Sequence, residues 1–134
     1  DIKSTNKNFI EARGYLGMVE KCKDLIERFG DKIVYPTDVA VSVQGDRADV
    51  PVDNIPDASI FDIGRKSLIK YSKMLRDAKT IFANGPAGVF EDPQFAMGTE
   101  DLINAIANSN GSSILTIEFF TYSNIDSSIF NVLM

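Results

Sequence analysis

The sequence predicts an α/β fold, in which a largely parallel sheet carries helices packed on it and a small antiparallel β-hairpin is added. Three observations carry this reading. Short apolar runs rich in strand formers alternate with longer stretches whose apolar residues recur every three or four positions. Residues 39–52 read as two alternating strands around a Gly45-Asp46 turn. Residues 80–83, TIFA, form the most strand-like run and feed directly into a loop rich in glycine and proline.

The elements follow in order. Residues 1–7 are polar and expected to be loose. Tyr15, Met18, Val19, Cys22, Leu25, Ile26 and Phe29 line one face of a helix. Gly30 sits where a left-handed C-terminal cap belongs, with Lys23 and Arg28 near the negative helix end. Cys22 on that face is expected to be a buried core thiol. Residues 32–35 read as a short strand closed by Pro36. Residues 39–44 and 48–52 are the hairpin strands, and 53–57 a proline-bearing loop. Asp38, Asp46, Asp49, Asp53 and Asp57 do not have the spacing of a calcium loop, so solvated turn carboxylates are expected. Residues 59–64 are a short apolar segment leading into a helix whose buried stripe is Leu68, Ile69, Ser72 and Leu75. Lys66, Lys70, Lys73 and Arg76 fall mostly on its other faces and are read as solvated. Thr99 is placed to cap a further helix, with Glu100 and Asp101 in its first turn and Leu102, Ile103 and Ile106 as its apolar face. Residues 108–111 end that helix, and 113–119 read as another strand.

Composition narrows the function classes. A chain of 134 residues suits one domain with a real core. The net charge of −5 argues against a nucleic-acid or anionic-membrane surface. A single cysteine excludes an internal disulfide and fits a reducing, cytoplasmic setting. Without histidine, this chain alone has no Ser-His-Asp triad, Cys-His dyad or histidine metal site. No apolar run reaches membrane-spanning length and no signal peptide is visible. The chain starts at Asp1 rather than methionine, which suggests a segment of something longer.

The loop at 84–99, NGPAGVFEDPQFAMGT, is the stretch that points to a particular chemistry. It follows a strand, so it lies at a carboxyl end of the sheet, the usual ligand edge of α/β proteins. Gly85 and Gly88 leave backbone uncovered, Val89 and Phe90 supply apolar surface, and Glu91 is a lone carboxylate beside them. This suits a nucleoside, with the base against glycine backbone and ribose hydroxyls donating to Glu91. One hydrogen bond to a charged acceptor contributes about 1.5–3 kcal/mol, too little to hold a nucleotide by itself. The alternative is a tight structural loop with a solvent-facing glutamate. Neither a Walker P-loop nor a Rossmann glycine fingerprint is present.

The same 16 residues resemble, nearly unbroken, the Asn-Gly-Pro-x-Gly-Val-Phe-Glu…Phe-Ala-x-Gly-Thr signature of the phosphoglycerate kinase family. Upstream, DIGRKSLIKYSKMLRDAKTIFA is similar to the helix and strand that lead into that signature, and DKIVYPTDVAVSVQGDRADVPVDNIPDASIFDIG to the archaeal branch. The resemblance runs from about residue 14 to 111. It implies a Rossmann-like three-layer domain, here incomplete, with residues 1–111 as part of the nucleotide-binding domain and 112–134 as a divergent apolar tail. It further implies phosphoryl transfer between 1,3-bisphosphoglycerate and ADP, with ADP/ATP and magnesium as cofactors and the metal held mainly through the nucleotide. Glu91 then matches the ribose-binding glutamate; Pro86, Gly88 and Val89, beside Gly85, match the wall along ribose and adenine; Asn84 lies near the phosphate chain. Ile60 and Phe61 fall at the other adenine wall, where many members have Gly-Leu. No catalytic residue and no direct metal ligand is assigned.

Other parts of the family's machinery are not in this sequence. The basic cleft of the N-terminal domain is absent, so 3-phosphoglycerate is reached only through that domain. The upstream glycine-rich segment with its phosphate-contacting lysine is absent too. A glycine-rich phosphate loop is expected after Gly111, yet 112–134 contains no glycine, lysine or arginine. A change of reading frame or end near 112 and a natural divergence both fit. Phe119, Phe120, Tyr122, Ile125, Ile129, Phe130, Val132, Leu133 and Met134 would pack on open sheet faces or promote self-association. The resulting expectation is a kinase fragment inactive alone; the alternative is a non-catalytic nucleotide-binding or interaction module.

Overall fold

The computed structural model describes residues 4–116. Two helices come first, α1 (Ser4–Ala12) and α2 (Leu16–Phe29), then a 3-10 turn at Gly30–Lys32. β1 (Asp38–Val43) and β2 (Asp46–Pro51) form the hairpin, and β3 (Ile60–Ile63) leads into α3 (Arg65–Asp77). β4 (Thr80–Asn84), α4 (Met97–Ala107) and β5 (Ser112–Thr116) complete the described chain. The α/β class holds. The strands form two sheets, a three-stranded antiparallel one in the order β2-β1-β3 and a parallel pair β4-β5. Parallel pairing among the described residues is thus confined to β4 and β5, in register from Thr80↔Ser112 to Asn84↔Thr116.

The hairpin turns on two residues, Gln44 and Gly45, with Val43 opposite Asp46. Both have positive φ, 54° and 95°, the signature of a tight turn whose twist matches the strands it joins. The core is small and lies between the first sheet, α3, β4 and the segment entering α4. It contains Val39, Ala40, Val41, Leu68, Ile81, Phe95, Ala96 and Ile106.

Several expectations are corrected by packing. Gly30 has right-handed φ/ψ (−47°, −42°), so α2 runs on into the 3-10 turn instead of stopping at a left-handed cap. Residues 33–36 form no strand, because no described strand pairs with them. Cys22 is exposed, as are Tyr15, Met18, Leu25, Ile26 and Phe29. Periodicity identified the apolar face of α2 but not whether anything covers it. In α3, Leu68 is buried whereas Ile69 is 72% exposed, because the packed face centres on Ser67 and Leu68. Lys66, Lys70, Lys73 and Arg76 are exposed, as expected.

The aspartates are also more structured than anticipated. Asp46 and Asp53 are exposed, but Asp38 is buried beneath α3. Its carboxylate accepts the amides of Lys66 (3.0 Å) and Ser67 (2.8 Å) and the Ser67 hydroxyl. The cap position itself, Gly64, has no side chain to do this, and a Cβ there would overlap Asp38. Asp38 therefore satisfies the orphan amides of α3 from a neighbouring strand. Asp57 does the same for α1, accepting from the Thr5 amide at 2.8 Å and from the Ser4 hydroxyl. Asp49 accepts from Arg47 and from the Arg65 amide. No helix among the described residues is long and apolar enough to cross a membrane.

Candidate functional site

Asn84 ends β4 at the carboxyl end of the parallel pair, and Gly85, with φ of 75°, turns the chain away from the sheet. A Cβ on Gly85 would meet nothing within 4 Å, so the edge is open there. The loop then folds against β3. The Val89 amide donates to the Phe61 carbonyl at 2.8 Å, and the Phe90 amide to the Gly88 carbonyl at 3.0 Å. Asp92 organises the return: its carbonyl accepts the Phe95 amide at 2.8 Å and its side chain the Gln94 amide at 3.0 Å. Phe95 is buried and stacks on Phe61, with ring centroids 4.8 Å apart.

The six expected ligand residues thus share one loop. Asn84, Gly85, Pro86, Val89 and Glu91 are exposed and Gly88 is half-buried. The Glu91 side chain has no hydrogen bond or ion pair among the described residues. Phe61 is brought against the loop through its carbonyl, and Ile60 beside it is 43% exposed. Thr99 is not the helix cap. That position is Ala96, and the Thr99 hydroxyl, inside the first turn, accepts the Ala87 amide at 3.1 Å.

Behind the loop lies a cavity of about 320 Å³ between α3, α4 and β4-β5. Tyr71, Leu75, Ile81, Ala83 and Ile103 are among its largely apolar walls. Of the six expected residues only Gly85 lines it, so this cavity and the Glu91 side of the loop are different places. Burial raises the Tyr71 phenol above its ordinary value of 10.0. No group of three histidine, cysteine or acidic side chains among the described residues could hold a metal.

Two residues not singled out in the sequence underlie the site. The Asp62 side chain is completely buried. It accepts the Ile63 amide (2.8 Å), the Gly98 amide (2.9 Å) and Arg47 Nη1 (2.8 Å). Arg47 also donates to the carbonyls of Ile63 (2.9 Å) and Gln94 (3.1 Å) and to Asp49 (3.0 Å). A Cβ at Gly88 or Gly98 would overlap the Asp62 carboxyl group. The available signal was a carboxylate embedded in the apolar run IFDI and a single cation in the hairpin. A buried carboxylate needs a partner, but only the sheet register shows that Arg47 supplies it.

A glycine- and proline-bearing loop leaving the carboxyl end of a parallel strand, followed by a helix, defines an α/β ligand-edge protein. The chain belongs to the phosphoglycerate kinase family, whose model matches residues 3–118. It is 49% identical over 115 residues to a phosphoglycerate kinase of Methanothermus fervidus, which covers 86% of this chain and 28% of that protein. It is 53% identical over 110 residues to that of Methanobacterium bryantii, covering 82% and 27%. The crystal structure of phosphoglycerate kinase from Pyrococcus horikoshii OT3 superposes with a TM-score of 0.80 at 34% identity, over 87% of this chain and 30% of that one. The chain therefore spans somewhat more than a quarter of the length of these relatives.

Proposed function

We propose that this chain is part of the nucleotide-binding domain of a cytoplasmic phosphoglycerate kinase, which transfers a phosphoryl group between 1,3-bisphosphoglycerate and ADP in glycolysis and gluconeogenesis. The observation that carries the reading is the 84–91 loop: it leaves the carboxyl end of β4, is pinned to β3 through Val89, and presents an exposed Glu91 carboxylate without a partner among the described residues. The donor set fits a nucleoside. Glu91 accepts the ribose hydroxyls. Gly85, Pro86, Gly88 and Val89 line ribose and adenine, with Ile60 and Phe61 at the opposite wall, and Asn84 lies toward the phosphates. Magnesium is held mainly through the nucleotide. 3-Phosphoglycerate binds on a part of the enzyme outside this sequence. The β4-β5 pair belongs to a larger parallel sheet of a three-layer domain, within which residues 1–111 follow the family pattern. The apolar residues within 119–134, expected to pack on open sheet faces or to promote self-association, lie outside the described residues.

Titration with ADP, with and without magnesium, tests the reading. Weak binding is expected, and Glu91→Ala should reduce it roughly 10- to 100-fold, the effect of one hydrogen bond to a charged acceptor. Unchanged affinity in that variant would remove the ribose assignment. The purified chain with ADP and 1,3-bisphosphoglycerate is expected to show no turnover, since phosphoryl transfer depends on cationic stabilisation of the phosphates and on both substrates being positioned together. Normal turnover by this chain would overturn that expectation.

A further inference from the structure

We infer that Arg47 is a positioning residue for the nucleotide loop, acting through the buried Asp62 carboxylate to hold the segment 87–98 against β3 and the hairpin. The inference rests on the nucleotide reading of the loop but not on any contact between Arg47 and a ligand.

Arg47 sits on β2, far in sequence from the loop, yet its guanidinium joins three segments through four residues. It reaches Asp49 on its own strand, Asp62 and the Ile63 carbonyl on β3, and the Gln94 carbonyl in the returning limb of the loop. The planar fork of arginine permits this; a lysine ammonium would serve fewer of these partners at once. The guanidinium carbon also lies 5.9 Å from the centroid of Phe95, the ring that stacks on Phe61. From Asp62 the connection continues to the Gly98 amide, and the next residue, Thr99, accepts the Ala87 amide. The tip of the hairpin adds a second grip, with the Gly45 carbonyl accepting from Gln94 Nε2 at 3.2 Å. The hairpin is in effect a splint for the loop.

The Arg47 side chain is 9% exposed, so its charge is directed inward. Its role is therefore to fix where Gly88, Val89 and Glu91 stand. The ascending limb is also tied by the Val89 bond to Phe61 and the Ala87 bond to Thr99.

Amide hydrogen exchange of the full chain without nucleotide tests this. In Arg47→Met, the amides of Ala87, Val89 and Gly98 are expected to exchange about tenfold faster or more, as local opening becomes easier, while Leu68 and Ser112 change less than about twofold. Arg47→Lys retains the charge and some of the contacts and should fall between. If Arg47→Met does not fold, Arg47→Lys decides: about threefold faster exchange confined to the loop amides is expected. Loop amides that exchange as in the parent, or equal acceleration at Leu68 and Ser112, would reduce Arg47 to a general support of the fold and overturn the inference. Because this measurement needs no ADP, its failure is distinct from failure of the nucleotide reading, which the Glu91→Ala titration decides.

Discussion

Replacing Gly98 by alanine is expected to lower the unfolding free energy by about 3 kcal/mol, through overpacking and a disturbed buried charge. In most helices the same change stabilises by roughly 0.5–1 kcal/mol. Here the sign reverses because the added Cβ would occupy space held by the Asp62 carboxyl group. The carboxyl cannot simply retreat, since one oxygen is held by the Ile63 amide and the other by Arg47 and by Gly98 itself. Moving it leaves buried charged groups with poorer partners; moving α4 pulls Thr99 away from the Ala87 amide. Gly17 provides an internal control. It too is the second residue of its helix, α2, but a Cβ there meets nothing within 4 Å. Urea unfolding of both variants should show a large fall in midpoint for Gly98→Ala and none for Gly17→Ala. Similar falls at the two positions would mean that helix-start glycines matter for a reason other than Asp62.

How far the sequence could be read depended on how local each feature is. The hairpin, α3, β4, α4 and the start of β5 follow from alternation, helical period and turn chemistry, all contained within a few residues. Even there the turn sits one residue earlier than Gly45-Asp46, because positive φ at Gln44 completes the two-residue loop. What failed was anything decided by a distant element. Cys22 lies on an apolar helix face and is nevertheless exposed. Ile69 and Leu68 are equally apolar, and only the docking of α3 chooses between them. Thr99 has the chemistry of a cap, but a backbone amide 12 residues upstream claims its hydroxyl. The loop at 84–91 was conspicuous because its glycines, its proline and Glu91 lie within one contiguous motif. Its foundation was not, because Arg47 and Asp62 are 15 residues apart and meet only through the pairing of β1 with both neighbours.

The second large effect is expected at Asp38. Asp38→Asn should destabilise the chain by about 2 kcal/mol at neutral pH: the Ser67 amide and hydroxyl, which donate to Oδ1, keep at best a neutral acceptor, and the Lys66 amide, which donates to Oδ2, faces an NH2 group that cannot accept. It should also remove part of the acid dependence of stability. Burial by itself raises the Asp38 carboxyl. The Ser67 hydroxyl, the amides of Lys66 and Ser67 and the nearby Lys66 charge together outweigh this, leaving it below the ordinary value of 3.8. A carboxyl with a lowered folded-state value binds its proton more readily in the unfolded chain. Its contribution is therefore complete above the unfolded value and is lost as pH falls through the folded one. Parental stability should consequently decline below about pH 4, and Asp38→Asn should lack that share of the decline. The asparagine keeps the size of the side chain but only one of its two acceptor oxygens, in a space that excludes even a Cβ at Gly64, so the change in pH dependence, rather than the loss at neutral pH, reports the charge. Unfolding curves collected from pH 7 downward give both quantities. If the two proteins trace displaced but parallel curves through the acid range, the ionised form of Asp38 is not what holds the start of α3, and its polar shape alone accounts for the cap.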